Sequence, residues 1–456
     1  MCAFQPYLTC GGSTALATAQ PPFYSRPVNI VQITPGAGGM YCGGCFRDNV
    51  LVSALRKSGH ETLMVPLYLP LTLDEPDQSA GTPIFFSGIN VYLEQKYPLF
   101  RRLPRWMLKP FSSRMLLHLA GGRAAKTRPV DGGELTISMI RGEEGHQARE
   151  IEELVDWLKK HSPPDVLCLS NVLLVGMARR LKAALKTRIV CLLSGEDSFL
   201  DLLPAAVRDK AWQAVIERCN EVDFFLSPTR YYADLMTKRL SIPPRKMAVL
   251  PNGINLSGYR SNESQTPTDR TPTLGYFARM CPEKGMDLLV DTYLLLKKRD
   301  SGRNLRLHVG GGCGPADQPF VEQQRRKLAD AGCLNDARFF PNVSHSEKVS
   351  FLEQLTVFSV PARYNEAFGL YLIEAMAAGV PVVQPRWAAF PEVVESTKGG
   401  LLCPPNDSAA LADAIESLLQ NPERARSIGA AGRAAVFRDF SAERMATNFL
   451  KLLHEN

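Results

Sequence analysis

No stretch of this 456-residue chain reaches the ~18 uninterrupted apolar residues that a membrane-spanning helix requires. The first 27 residues also lack the basic start and sustained apolar run of a secretion signal, and they read as a disordered extension. The 11 cysteines are odd in number and scattered, which argues against a disulfide framework. Several, such as Cys168 and Cys191, sit in apolar strand-like runs, where buried free thiols in a reducing cytoplasm are the natural expectation. Cys42-Gly-Gly-Cys45 stands apart, yet no second Cys-x-x-Cys or histidine cluster offers the other two ligands of a structural zinc site. Two loop cysteines in a tight turn is the plainer reading, with redox or metal chemistry as the alternative. Acidic residues are missing altogether between Lys96 and Arg128, a span that holds nine Lys or Arg. The formal charge of +7 therefore resides in one segment, and the remainder is slightly acidic. That distribution, with no recognised motif, excludes a general nucleic-acid binder.

What is present fits a globular protein of two domains: 45% hydrophobic and 22% charged residues over a length too great for one ordinary core. Short β-branched runs alternate with helical patterns, the signature of parallel sheets covered on both faces. Strands are expected at Val28 to Thr34, Thr62 to Val65, Asp165 to Leu169, Arg188 to Leu193, Phe224 to Ser227 and Met247 to Leu250, with a helix from Asn49 to Ser58. A Pro-, Gly- and Arg-rich stretch at about 67–133 interrupts the rhythm as an insertion. After the turn signal Pro251-Asn-Gly253, a second alternation places strands at Thr273 to Phe277, Leu305 to Gly310, Val357 to Val360 and Val380 to Gln384. The expected division is 28–253, 254–440 and a C-terminal helix at 441–456 that packs back on the first domain.

The densest signal is Glu366-Ala-Phe-Gly-Leu-Tyr-Leu-Ile-Glu374-Ala-Met-Ala-Ala-Gly379-Val-Pro381. A buried strand should end before it, and Phe368-Gly369 should open a helix whose free amides suit phosphate or sugar oxygens. Glu366 stands ahead of that positive helix end, and Glu374 lies where a carboxylate can accept two hydrogen bonds from a diol. Ordinary helix-start acidity is the plain alternative for each glutamate alone. The whole string resembles the signature of the retaining family 4 glycosyltransferases. Other segments match in the family's order: Val249-Leu-Pro-Asn-Gly-Ile-Asn255, Gly275-Tyr-Phe-Ala-Arg279-Met-Cys-Pro-Glu-Lys284-Gly285, Leu307-His-Val-Gly-Gly-Gly312 and Pro391-Glu-Val-Val.

The resemblance implies an α/β fold of two facing Rossmann-like doubly wound domains (GT-B) with a deep interdomain cleft, and a hexosyltransferase using a nucleotide-diphosphate sugar. It implies that Arg279 and Lys284 bind the diphosphate and stabilise the leaving nucleotide, that Glu374 holds the ribose, and that Glu366 supports charge at the anomeric centre. Gly369, Leu370 and Phe368 would frame the donor, together with Gly38 and Gly39 of the glycine-rich loop after the first strand. No metal or other cofactor is expected, since two cations can neutralise the phosphate and the chain lacks the Asp-x-Asp of the other major glycosyltransferase fold. Where relatives carry a histidine near the reacting sugar, this chain has Ser194-Gly195-Glu196-Asp197; Glu196 and Asp197 either face the acceptor or serve a helix start. Arg386-Trp-Ala-Ala also departs from the small glycines of relatives, which leaves the donor sugar open. Rival readings are a hydrolysing sugar-nucleotide 2-epimerase, which would not be expected to carry the glutamate string, and a non-catalytic sugar-nucleotide-binding protein.

The acceptor is open: a glycan, a lipid or a small molecule. Lys96 to Lys109 interleaves cations with Phe100, Trp106, Met107 and Leu108. Such a segment either lies in an anionic headgroup layer, making 96–128 a peripheral contact at the cytoplasmic membrane face, or forms an acceptor-side flap with solvated cations.

Overall fold

The structure, a computed structural model, describes residues 26–36, 42–86, 133–259 and 271–455. Gly38, Gly39, residues 1–25 and the basic segment at 96–128 lie outside the described residues. In the first half of the chain the elements are β1 (Asn29–Thr34), α1 (Gly43–Lys57), β2 (Glu61–Pro66), α2 (Gly133–Arg141), α3 (Ala148–His161), β3 (Val166–Leu169), α4 (Ala178–Leu185), β4 (Arg188–Leu192), α5 (Asp197–Leu200), α6 (Ala205–Cys219), β5 (Phe224–Ser227), α7 (Arg230–Leu240) and β6 (Met247–Val249). The second half follows with β7 (Thr273–Phe277), α8 (Met286–Lys297), β8 (Arg306–Gly311), α9 (Gln318–Asp330), β9 (Ala337–Pro341), α10 (His345–Glu353), β10 (Val357–Phe358), α11 (Leu370–Ala377), β11 (Val382–Pro385), α12 (Phe390–Thr397), β12 (Gly400–Cys403), α13 (Ser408–Leu419), α14 (Pro422–Asp439) and α15 (Ala442–Glu455).

Every strand pair is parallel, as expected of strands buried on both faces by crossover helices. The first sheet runs β2-β1-β3-β4-β5-β6 and the second β12-β11-β10-β7-β8-β9. Counted from its own first strand, the second sheet has the 3-2-1-4-5-6 order of dinucleotide-binding sheets, and its order reverses between β7 and β10. Ligand crevices open at the carboxyl ends of strands flanking such a reversal, so the loops after β7 and β10 should meet at a site. The first sheet reverses between β1 and β3, and the loop after β1 feeds α1.

Two differences from the sequence expectation have physical causes. The helix expected from Asn49 begins at Gly43, so Cys45 lies in its first turn and Cys42 at its N-cap rather than both in a loop turn. Glycine and cysteine are weak helix formers, which hides that start. The strands β9 and β12 carry no continuous buried run, being sheet edges, and so give no strand signature.

The last helix belongs to the first core. Met445, Ala446, Phe449, Leu450 and Leu453 of α15 pack with Leu51 and Leu55 of α1, Cys168 of β3 and Val190 of β4. Each large apolar side chain buried there contributes about 1.5–3 kcal/mol. The chain thus crosses between domains twice, and the crossings are laced together: the Ile254 amide donates to the Phe440 carbonyl at 2.9 Å, and the Ala442 amide to the Ile254 carbonyl at 2.9 Å. A third contact joins the domains elsewhere. The Glu392 carboxylate accepts the amides of Arg230 and Tyr231 at 2.8 and 2.9 Å, an anion seated on the first turn of α7. No helix among the described residues is long and apolar enough to cross a membrane.

Candidate active site

β7 ends at Phe277, and the next turn delivers Arg279 and then Lys284. Gly285 follows at φ 72°, where an added Cβ would lie 2.1 Å from the Pro361 carbonyl oxygen; only glycine permits the loop after β7 to press against the strand-end of β10. β10 in turn leads through Pro361 to Tyr364, Glu366 and the start of α11, whose N-cap is Gly369 at φ 86°. The two loops flanking the reversal therefore converge, and Lys284 meets Glu366.

That meeting is tight. Lys284 Nζ lies 2.6 Å from Glu366 Oε2, and the same oxygen accepts the hydroxyls of Tyr364 at 2.7 Å and Tyr371 at 2.8 Å. Lys284 also donates to the Tyr364 hydroxyl and stands 4.7 and 5.0 Å from the Tyr364 and Tyr371 ring centroids. Burial pushes the Glu366 carboxyl up, but the Lys284 charge and the three hydrogen bonds outweigh it and hold the group below the usual range. The result is a fixed carboxylate inside an aromatic box.

A cavity of about 160 Å³ opens beside this pair. From the second domain it is lined by Arg279, Lys284, Gly311, Gly312, Lys348, Leu370, Tyr371 and Glu374, and from the first by Gly43, Phe46 and Asp74. Four expected site residues, Arg279, Lys284, Leu370 and Glu374, thus share one wall system between the domains. Arg279 is held by Asp317, with Nε 3.1 Å from Oδ1 and Nη2 3.0 Å from the same oxygen. Gly369 caps α11 just behind Leu370. Phe368 is 3% exposed, packs its ring 6.0 Å from that of Phe440 in the second-domain core, and does not line the cavity.

Glu196 and Asp197 are both buried and neither lines the cavity. Glu196 accepts the amides of Ser194 at 3.0 Å and Val172 at 3.2 Å, and the Tyr232 hydroxyl lies 2.9 Å from Glu196 and 2.8 Å from Asp197. Burial raises the Glu196 carboxyl above its ordinary range despite those donors. Asp197 reaches the other domain, accepting Asn365 Nδ2 at 3.3 Å, next to Glu366 in the chain.

No local sequence pattern marks Lys348. It rises from α10, with Nζ 2.8 Å from Glu374 Oε1 and a second contact to Asp74 Oδ2 of the first domain. Burial works against its charge, but Glu374 and Asp74 outweigh that and raise its pKa. Tyr364, Tyr371 and Asp317 also escaped notice, although Tyr364 and Tyr371 lie within the glutamate string or two residues from it. Among the described residues one cluster has metal-ligand composition: atoms of Asp74, Glu75 and His345 lie within 4.8 Å of one another. Lys348 already gives Asp74 a cation there.

Two parallel sheets with flanking helices, meeting at a cleft lined by Arg279, Lys284, Lys348 and the start of α11, have the two-domain GT-B architecture. The profile described as "Glycosyl transferases group 1" matches residues 260–435, and that described as "Glycosyltransferase Family 4" matches residues 118–257. The chain belongs to the family 4 glycosyltransferases, and it is an enzyme of glycosyl transfer. It is 26% identical over 290 residues to the GDP-mannose-dependent alpha-(1-6)-phosphatidylinositol monomannoside mannosyltransferase of Mycobacterium tuberculosis, a match spanning 61% of this chain and 72% of that one. A phosphatidyl-myo-inositol mannosyltransferase of Mycobacterium leprae is 35% identical over 191 residues, covering 41% and 48% of the two chains. Among solved structures, sucrose-phosphate synthase of Thermosynechococcus elongatus superposes with a TM-score of 0.67 at 18% identity, over 93% of this chain and 98% of that one, a likeness of fold.

Proposed function

We propose that the enzyme moves a hexosyl group from a nucleotide-diphosphate sugar, with retention of anomeric configuration and without a metal ion, to a lipid acceptor at the cytoplasmic membrane face. The observation that carries the reading is the convergence of Arg279, Lys284 and Glu374 on one cavity, with Glu366 paired to Lys284 just behind its wall. In this reading the diphosphate takes up Lys284 and Arg279, whose present partners are carboxylates that an anionic ligand replaces. Glu374 accepts the ribose hydroxyls, and the amides of Gly369 and Leu370 face sugar or phosphate oxygens. As the bond from the anomeric carbon to the phosphate oxygen breaks, the two cations offset charge on the leaving nucleotide and Glu366 offsets charge on the sugar. The acceptor hydroxyl attacks from the same face, and its proton passes to the departing phosphate. Glu196 and Asp197 are buried away from the cavity, and in this reading they act on the acceptor side only through Tyr232 and Asn365.

The lipid acceptor rests on two supports: the phosphatidylinositol substrates in the names of the mycobacterial relatives, and the basic, aromatic run from Lys96 to Lys109. The test incubates purified enzyme with GDP-mannose, UDP-sugars and ADP-sugars in excess EDTA, with anionic or neutral vesicles carrying phosphatidylinositol. Transfer in EDTA, an unchanged anomeric configuration by NMR, and co-sedimentation with anionic vesicles that salt weakens are expected. Activity lost in EDTA and restored by manganese overturns the metal-free step. Equal recovery on neutral and anionic vesicles, or no effect of changing Arg101, Arg102 and Arg105 to Ser, overturns the membrane contact.

A further inference from the structure

The cysteine pair is left unused by the transfer reaction, and its placement gives it a chemistry of its own. Cys42 occupies the N-cap of α1 with extended backbone (φ −124°, ψ 119°), and Cys45 follows in the first turn of a 15-residue helix. Residues three apart at a helix start lie on one face, so the two sulfurs are neighbours. Cys42 is half-buried while Cys45 is 1% exposed, so Cys42 is the more accessible of the two. The two residues between are glycines, which leave the turn free of side chains, and Gly43 lines the donor-side cavity. The pair therefore sits in the cleft wall, on the crossover from β1 to β2.

The electrostatics differ from those of the other thiols. The Cys45 thiol and the amides of Cys45 and Gly44 favour an anion on Cys42 more than burial and Asp48 oppose it, and its pKa falls to about 6. Cys45 moves the opposite way, pushed up by the same hydrogen bond and by burial. Elsewhere burial alone dominates and raises Cys219 and Cys281 to about 12 and Cys403 to about 11. An attacking sulfur that is ionised near neutrality, beside a sheltered protonated sulfur, is the arrangement thiol–disulfide exchange requires. Zinc would want four ligands, and among the described residues no cluster of ligand-type groups includes these two sulfurs.

We propose that Cys42 and Cys45 form a reversible dithiol–disulfide site in the cleft wall, with Cys42 attacking, Cys45 resolving, and a low-molecular-weight disulfide as the partner. The Cys42 thiolate attacks one sulfur of the partner RS–SR, forms a mixed disulfide and expels RS⁻. Cys45 then gives its proton to solvent, attacks the Cys42 sulfur, closes the Cys42–Cys45 bond and expels the second RS⁻. Two electrons pass from the protein to the partner, and two molecules of RSH are released once the leaving thiolates are protonated. A small thiol in excess runs the same steps backwards.

The experiment equilibrates the full chain in buffers of glutathione and glutathione disulfide, quenches with acid, alkylates the free thiols and maps peptides by mass. A Cys42–Cys45 disulfide that grows in with a single two-electron midpoint is expected, with the thermal transition retained. Cys45→Ser should halt the reaction at the first step and carry one glutathione on Cys42, whereas Cys42→Ser should carry none on Cys45. Alkylation of Cys42 in the reduced wild type should slow as pH falls through about 6. A wild type that forms no Cys42–Cys45 bond in glutathione disulfide overturns the proposal, and that measurement needs no variant. Equal labelling of the two sulfurs in the single variants, or one zinc ion per chain that the reduced protein retains on both sulfurs, overturns it too.

Discussion

Replacing Lys348 by Met isolates the charge balance across the cleft. The Lys348 ammonium is 8% exposed and serves two carboxylates at once, Asp74 of the first domain at 8% and Glu374 of the second at 16%. Without it, the two carboxylates face each other at about 5 Å with only His345 left beside Asp74, and an effective dielectric near 20 gives a repulsion of about 3 kcal/mol. Breaking a buried pair by removing one member typically costs about 3–5 kcal/mol, so that range is expected for Lys348→Met. In a domain of roughly 200 residues this lowers the melting temperature by roughly 6–15 °C. The pH dependence has a definite sign. Burial pushes Asp74 up, but His345 and Lys348 outweigh it and hold the group at about 2 instead of the usual 3.8. In the wild type this contribution is fully present above the unfolded value and is lost as pH falls through about 2. In the variant one carboxylate takes up a proton well above that, so the deficit is largest near pH 8 and shrinks toward about pH 5. Melting curves of the wild type, Lys348→Met and Lys348→Met/Asp74→Asn at both pH values read this directly. The double variant should recover at least half of the loss. A single variant melting within about 1 °C of the wild type, or an equal loss with and without Asp74→Asn, refutes the reasoning.

Lys284→Ala should lower turnover at least ~100-fold while the fold survives, because it removes a cation from the leaving phosphate; near-normal turnover would sink that role. Glu366, held below the usual carboxylate range mainly by Lys284 against burial, keeps its charge across neutral and mildly acid pH and contributes stability that is lost only as pH falls through its depressed value. The pH profile of kcat/KM should thus show no acid limb from Glu366 above about pH 5, and a limb near pH 6 that vanishes in Glu366→Gln would contradict this. Gly369→Ala should cost about 1–2 kcal/mol by thermal melting, since an L-residue is strained at φ 86° and the new Cβ would lie 3.3 Å from Leu372. An unchanged melting temperature would show that α11 can start without its left-handed cap.

Much of the second domain was legible because its signals are local. The strand from Thr273 to Phe277 is a compact apolar run with the expected bounds, and the helix after Gly369 follows a string whose residues all serve one strand-loop-helix unit. The family resemblance implied Arg279, Lys284 and Glu374 for the donor, and all three line one cavity. What escaped depends on pairings far apart in the chain. Asp74 meets Lys348 across 274 positions, and no local pattern marks either residue. Glu196 and Asp197 are typical of a helix start in sequence, yet their carboxylates turn inward because Tyr232 of α7 and the amides of Val172 and Ser194 await them. Edge strands such as β9, with Arg338 in a half-exposed run, lack the continuous apolar stretch that betrays a central strand.

The docking of α15 onto α1 ties the stability of the first domain to a segment that follows the second in the chain. Leu51 and Leu55 share their core with Phe449, Leu450 and Leu453, so a cut or a misfolded stretch anywhere in the second domain can bare an apolar face on the first without changing one of its own residues. The two domains are thereby bound into one folding problem, whose closing contact has a very long sequence separation.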